Sequence, residues 1–201
     1  MTALTHYLEC WATSGSGLAP GIALGAALMR AHVTVSGRFA LAFPDASPAL
    51  PRGVGRAASP HLGDRLLLFG AEPDLAGVAR DVREVEAIVS AGRILPVRAV
   101  VAHERHVRVR EAVRTPATVA RELRRAERRA AARGLEIDDA ERAQREASSR
   151  TSLLAYVHVA SLSTRQRFAI RFERQPADAE VKGRFDSYGF GLDGATVPVV
   201  G

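Results

Sequence analysis

Arginine side chains recur at helical spacing between residues 115 and 134, in the segment TPATVARELRRAERRAAARG. Thr115 and Pro116 suit the start of a helix, and Gly134 suits its end. Small and apolar side chains share a narrow face of this predicted helix, and arginines cover the opposite side and its flank. These arginines are Arg121, Arg124, Arg125, Arg128 and Arg129. Because guanidinium groups pair with phosphate oxygens, the helix could grip a polyanion.

The positive charge of the chain is concentrated in the same region. Residues 104–133 contain ten arginines and four acidic residues, a net of +6, which equals the net charge of all 201 residues. A solvated surface is the ordinary interpretation of a charged helix. An excess of positive charge in one segment instead favours a surface that binds nucleic acid. An anionic membrane is the weaker alternative, because the helix lacks an aromatic or leucine-rich face.

The sequence points away from metal chemistry. It contains no CxxC or HExxH motif and no GK[ST] loop, so neither a metal nor another cofactor is predicted. RNA carries its own nucleophile, the 2′-hydroxyl group, and a protein can cleave it by holding the sugar in line and moving a proton. A histidine suits that proton transfer. The spacing of the six histidines alone does not rank them.

Composition places limits on the cellular setting. Cys10 is the only cysteine, so no disulfide can form within the chain. No apolar run reaches 18 residues, and the first residues lack the pattern of a secretory signal. We therefore expect a cytoplasmic protein without a membrane span.

The order of predicted elements in the first half indicates an α+β fold. The pattern predicts strands at His6–Ala12, Arg38–Phe43, Arg65–Phe69 and Ile94–Ala102, and helices at Ile22–Val33 and Asp74–Val89. Pro96 weakens the middle of the last strand. The order β-α-β-β-α-β is ferredoxin-like, an arrangement that RNA-recognition modules also use. Many proteins with this fold do not bind RNA, so the fold alone does not define the function.

The second half has a different composition. After the arginine helix the pattern predicts a short helix at Asp138–Ala147 and two strands at Ser152–Ala160 and Gln166–Glu173. We predict two domains, a ferredoxin-like domain over residues 1–102 and a nucleic-acid-binding C-terminal domain over residues 103–201.

Seven fragments together resemble one known family. In chain order they are HYLEC, MRAH, RFALAFPD, LGDRLLLFG, ARELRRAERRAAARG, SLSTRQRFAIRF and FDSYGFGL. The sequence resembles the type I-F CRISPR-associated endoribonucleases, which process precursor CRISPR RNA, and includes features of the branch carried by transposons. The resemblance extends over nearly the whole chain.

The resemblance implies a catalytic role for three residues. The general base of the family corresponds to His32, the serine that holds the ribose corresponds to Ser161, and the tyrosine that orients the histidine corresponds to Tyr188. Phe168 matches a phenylalanine that stacks on the guanine at the base of the hairpin. The implied RNA contacts are Arg108, Arg110, Arg121, Arg124, Arg125, Arg128, Arg129, Ser163 and Phe168. At Arg110 the family has a glutamine, so the base preference there need not carry over.

The resemblance also implies the reaction and the partners. The family cleaves the repeat hairpin without metal, leaves a 2′,3′-cyclic phosphate, and remains bound to its product as a subunit of the type I-F surveillance complex. In the transposon-carried branch a transposition adaptor protein is a further expected partner. Two alternatives stay open: a catalytically inactive subunit that binds an RNA hairpin and caps a ribonucleoprotein, and a basic DNA-binding or ribosome-associated domain.

Overall fold

The protein has a mixed α+β fold with two antiparallel sheets. The computed structural model describes residues 4–12, 20–47, 62–83, 92–101, 105–112, 124, 127, 128 and 154–200. Across these residues it contains two long helices, and both lie in the first half of the chain. The predicted α+β class is therefore confirmed.

The first sheet and its two helices have the ferredoxin-like order. The strands are β1 (His6–Ala12), β2 (Phe39–Ala42), β3 (Arg65–Gly70), β4 (Gly92–Ile94) and β5 (Arg98–Ala99), and the helices are α1 (Pro20–Val35) and α2 (Glu72–Arg83). The strand order is β2-β3-β1-β4, and β5 also pairs with β1. Each helix connects two strands that have a third strand between them, which is the split β-α-β arrangement. No helix in this described part of the chain has the length and apolarity needed to span a membrane.

The fourth predicted strand is two short strands instead of one. Both β4 and β5 pair with β1, but residues 95–97 between them leave the ladder. Pro96 lies in this interruption, and proline has no backbone N–H to donate to a ladder. On either side, the Leu95 amide donates to the Glu9 carbonyl at 2.9 Å and the Val100 amide donates to the Thr5 carbonyl at 2.8 Å.

The second sheet contains two strands that the sequence analysis did not predict, one at His106–Glu111 and one at Val197–Pro198. Its strands are β6 (His106–Glu111), β7 (Tyr156–Ala160), β8 (Arg167–Ala177) and β9 (Val197–Pro198), in the order β7-β8-β6-β9. In β6 the buried Val107 and Val109 alternate with Arg108 and Arg110. The alternation is that of a half-buried strand, but the high charge of the segment masked it. The predicted strands Ser152–Ala160 and Gln166–Glu173 correspond to β7 and β8.

Most of the predicted arginine helix lies outside the described residues. This holds for Arg121, Arg125 and Arg129, and for the predicted helix Asp138–Ala147. Arg124 and Arg128 are described, both are helical and exposed, and the Arg128 Nε donates to the Arg124 carbonyl at 3.3 Å. The proposed division into two domains at residue 102 stays a prediction.

Helix α1 joins the two sheets, because it contacts both β1 and β7. The core of the protein contains an aromatic cluster: Phe43 stacks on Phe172 at 4.7 Å between ring centroids, and Phe172 lies 6.1 Å from Phe190. At the contact between α1 and β7, Gly25 lies against the backbone of His158, and a Cβ atom at this position would overlap the His158 carbonyl. Only glycine lets the helix approach this closely.

The contact at Gly25 can be tested with two glycine-to-alanine substitutions, which should have opposite effects on the free energy of unfolding. Gly25→Ala should lower the free energy of unfolding by about 1–3 kcal/mol or more, because α1 must move away from β7. Gly77→Ala is the matched control on α2, where an added Cβ lies 3.6 Å from Thr34 Cγ2, an ordinary contact. This control should raise the stability by about 0.4–1 kcal/mol through reduced unfolded-state entropy. Denaturant unfolding measures both, and an unchanged midpoint for Gly25→Ala would contradict the packing.

Candidate active site

The last turn of α1 holds His32 against the C-terminal segment of the chain. His32 Nδ1 lies 2.8 Å from the backbone carbonyl oxygen of Ser187. A carbonyl oxygen can only accept, so Nδ1 carries the proton in this hydrogen bond. In the neutral ring, Nε2 is then the basic nitrogen. Within the described part of the chain His32 makes no other hydrogen bond, so Nε2 is available to a ligand.

Tyr188 lies directly over the histidine ring. The two rings are nearly parallel, with an interplanar angle of 11° and 4.3 Å between centroids. Phe168 meets Tyr188 edge-on, at 6.4 Å and 78°. The Phe168 side chain is 39% exposed despite its apolar character. His32, Tyr188 and Phe168 thus form a three-ring cluster, and the exposed phenyl face could stack on a nucleobase.

A tight turn positions Tyr188. The Asp186 carboxylate accepts hydrogen bonds from the amides of Tyr188 at 2.8 Å and Phe190 at 3.0 Å. Gly189 has a φ of +86°, and a Cβ there would lie 2.6 Å from the Phe39 ring. The Gly189 carbonyl accepts from the Leu41 amide of β2 at 3.0 Å. The order Asp-Ser-Tyr-Gly therefore has a structural cause, since aspartate closes the turn and glycine permits its conformation.

The surroundings of Tyr188 keep its phenol protonated. Burial raises the pKa of Tyr188, and the charges of Glu111 and Asp186 raise it further. Burial and the charge of Asp186 also raise the pKa of Glu111. The sequence analysis did not single out Glu111 or Asp186. The turn pattern around Asp186 could have been recognised, but an acid at position 111 in a basic segment has no distinguishing signal.

Ser161 lies at the start of the turn between β7 and β8. Its hydroxyl oxygen accepts from the Thr164 amide at 3.2 Å and shares a hydrogen bond with the Ser163 hydroxyl at 3.2 Å. Arg165, with a φ of 57°, completes the turn by donating its amide to the Ser161 carbonyl at 2.9 Å. No hydrogen bond between the described residues links Ser161 to His32 or Tyr188. The structure thus brings the three rings together and, separately, the two serines.

An apolar groove adjoins the three-ring cluster. It has a volume of about 560 Å³ and lies between α1 and the β7–β8 hairpin. Phe168, Met29 and Leu162 supply apolar wall, and Arg30 and Arg167 also line it. The histidine, cysteine and acidic side chains that the structure describes form no group of three or more that could hold a metal ion.

Two of the predicted RNA-contacting arginines are held by neighbouring groups. The Arg108 Nε donates to the Gly194 carbonyl at 3.2 Å. Arg110 forms an ion pair with Glu173, in which Nη2 lies 2.6 Å from the carboxylate. Both arginines lie on β6. Their side chains therefore extend from a strand of the second sheet.

The ferredoxin-like fold, the paired histidine and tyrosine rings and the basic charge together define a class: a nucleic-acid-binding α+β protein with a candidate site for proton transfer. A family model described as CRISPR-associated protein (Cas_Csy4) matches residues 23–200, and the chain belongs to this family. This confirms the predicted type I-F CRISPR endoribonuclease family. Membership supports a role in processing CRISPR RNA and in binding its repeat hairpin. A comparison with curated proteins finds no match.

The environment of Tyr188 can be tested by titration. Glu111→Gln removes a nearby negative charge and should lower the pKa of Tyr188 towards the usual tyrosine value. Phenolate absorbance measures this pKa, and Tyr188→Phe identifies its contribution among the three tyrosines. Glu72→Gln is the matched control, because Glu72 pairs with His6 and does not act on Tyr188. An unchanged Tyr188 titration in Glu111→Gln would show that the carboxylate is not near the phenol.

Proposed function

We propose that the protein is a metal-independent endoribonuclease that cleaves precursor CRISPR RNA at its repeat hairpin. The observation that carries this proposal is the hydrogen bond between His32 Nδ1 and the Ser187 carbonyl, with the ring stacked on Tyr188. A base that removes a proton from a 2′-hydroxyl group needs a free basic nitrogen in a fixed orientation. The hydrogen bond and the stacking support both requirements.

In the proposed reaction, His32 Nε2 takes the proton of the 2′-hydroxyl group beside the scissile phosphate. The 2′-oxygen forms a bond to phosphorus, and the bond between phosphorus and the 5′-oxygen breaks. The leaving oxygen takes a proton from solvent. The products are a 2′,3′-cyclic phosphate and a 5′-hydroxyl end, so no water molecule is consumed in this step and the reaction needs no metal-bound nucleophile.

Ser161 and Tyr188 take positioning roles in this proposal. The Ser161 hydroxyl, at the exposed start of the β7–β8 turn, holds the ribose that carries the nucleophile. Tyr188 orients His32 by stacking, and its raised pKa means that it does so as a neutral phenol.

RNA binding is assigned to separate surfaces. The arginine helix, with Arg121, Arg124, Arg125, Arg128 and Arg129, would enter the groove of the hairpin stem, and Phe168 would stack on the guanine at its base. Arg108, Arg110 and Ser163 add contacts near the cut. Because many phosphate contacts on one helix accumulate, the enzyme would keep its product hairpin. In this proposal it acts in the cytoplasm and stays with its product as a subunit of the type I-F surveillance complex, with a transposition adaptor as partner in a transposon-borne system.

The role of His32 is tested with a matched pair of histidine variants. His32→Ala should slow cleavage of a repeat hairpin by about 10²–10⁴-fold, the contribution of a general base, while hairpin affinity stays near that of the wild type. His6→Ala should cleave normally, because His6 lies on β1, pairs with Glu72 and does not line the groove beside the site. The assay contains EDTA and identifies the product ends.

Three results of this assay would contradict the proposal. Normal cleavage by His32→Ala would remove the assigned base, and loss of wild-type cleavage in EDTA would remove metal independence. Tight hairpin binding without any cleavage by the wild type would favour the alternative, an inactive subunit that caps a ribonucleoprotein.

The arginine helix is tested by binding. Replacing Arg125 and Arg128 by alanine should weaken hairpin affinity by about 1–3 kcal/mol for each arginine that reads a base, and should reduce the salt dependence for each that pairs with a phosphate. The control replaces Arg80 and Arg83, which lie in the last turn of α2, and removes the same charge. Equal reductions in affinity in both double variants would assign the effect to net charge. Competition with duplex DNA separates the remaining alternative, a DNA-binding domain.

A further inference from the structure

The outer face of the second sheet carries arginines and a single carboxylate. Buried Val107 and Val109 of β6 place the intervening Arg108 and Arg110 on the opposite, outer face. On β8 the corresponding outer positions include Arg167 and Arg171, and Arg171 lies over the Tyr156 ring. Of the strand positions that the structure describes on this face, one alone is acidic, Glu173. An acid at this position would weaken RNA binding if it acted only through its charge.

Glu173, on the neighbouring strand, forms two hydrogen bonds with Arg110. The two residues lie directly opposite each other in the β6–β8 register. The Glu173 Oε2 accepts from Arg110 Nε at 2.9 Å and from Arg110 Nη2 at 2.6 Å. Both bonds involve one edge of the guanidinium group, so its plane is held as well as its position.

Gln175 holds the carboxylate in turn. The Gln175 Nε2 donates to Glu173 Oε1 at 2.9 Å, so both carboxylate oxygens are occupied. Burial would raise the pKa of Glu173, but the hydrogen bonds from Arg110 and Gln175 outweigh it and hold the pKa below its usual value. The carboxylate therefore stays charged at neutral pH, and the chain of contacts from Gln175 to Arg110 stays intact.

The hydrogen bonds to Glu173 leave the end of the Arg110 guanidinium group able to contact a base. A guanidinium group has five N–H donors, and those that Glu173 does not take lie on the terminal nitrogens Nη1 and Nη2. The Arg110 side chain is 55% exposed, so this edge is accessible. Two parallel donors match O6 and N7 of guanine, whereas adenine presents one acceptor and one donor on the same edge. A fixed guanidinium also loses less conformational freedom on binding than a free one.

We propose that Glu173 is a positioning residue that fixes Arg110 as a reader of guanine in the RNA stem. This inference rests on the proposed function, because it assigns a base preference to the same RNA-binding site. The ends of a short stem are accessible to long arginine side chains even where the groove of a continuous A-form helix is not. The alternative is a cross-strand ion pair that contributes to the sheet and has no influence on RNA sequence.

The experiment selects hairpins from a library randomised in the stem pairs next to the cleavage site. Full-length wild-type protein and variants bind the library at fixed salt, and sequencing of the bound fraction gives the enrichment of each base at each position. The variants are Arg110→Gln, Glu173→Ala and Glu173→Gln. Asp193→Asn is the matched control, because the Arg184–Asp193 pair is an exposed ion pair with no assigned role. Cleavage of a repeat hairpin is measured in parallel.

The wild type should enrich guanine at one stem position by about 5-fold to 150-fold, the discrimination of a bidentate arginine–guanine contact. Arg110→Gln should lose this preference. Glu173→Ala should lose most of it, while Glu173→Gln should keep an intermediate preference because its amide oxygen still accepts from Arg110. The two Glu173 variants remove the same charge, so a difference between them reports positioning. Asp193→Asn should match the wild type.

Each other outcome overturns a defined statement. Unchanged guanine enrichment in Arg110→Gln excludes Arg110 as the reader. Equal enrichment in the wild type and both Glu173 variants, whatever their affinity, excludes positioning by Glu173. If Glu173→Ala does not fold, Glu173→Gln is compared with Asp193→Asn, which removes the same charge at a separate ion pair, and equal guanine enrichment in these two variants excludes positioning by Glu173. Wild-type binding and cleavage without guanine enrichment would reject this inference alone, whereas no hairpin binding at all would also reject the proposed function.

Discussion

The close approach of α1 to the backbone of β7 is the constraint on which the candidate site depends. Gly25 permits this approach, because any side chain there would overlap the carbonyl of His158. Two helical turns further along, about 10 Å at 1.5 Å per residue, the same helix carries His32. A displacement of the helix at Gly25 would therefore be transmitted to the candidate base. The geometry of the site therefore depends on how α1 packs against the second sheet.

The C-terminal turn completes the site from the opposite end of the chain. His32 and Ser187 are 155 residues apart in sequence, yet one hydrogen bond joins them. Gly189 lies against Phe39, and Asp186 closes the turn, so Tyr188 has little freedom to leave the histidine ring. Acidic residues have a defined place in this basic protein: Asp186 organises a turn, whereas Glu173 holds an arginine.

Local sequence patterns predicted much of the fold. The strand His6–Ala12 was predicted with its observed bounds, and the β-α-β-β-α-β order was confirmed, because apolar periodicity and glycine or proline boundaries are local signals. Two predictions were incomplete for physical reasons. Pro96 divides the fourth strand by removing an amide donor, and β6 was missed because alternating arginines hid its buried valines. The predicted arginine helix is described at Arg124 and Arg128 only.

By itself, the sequence determined the family, the excess positive charge and the residue types available for chemistry. It did so because motifs and charge are properties of residues and their order. Only the tertiary structure decided which ring nitrogen of His32 is free, since that depends on a carbonyl group from a distant segment. It also decided that Glu173 faces Arg110, because strand register fixes which residues lie opposite each other. Neither relation could be predicted from the sequence, because both depend on contacts between residues far apart along the chain.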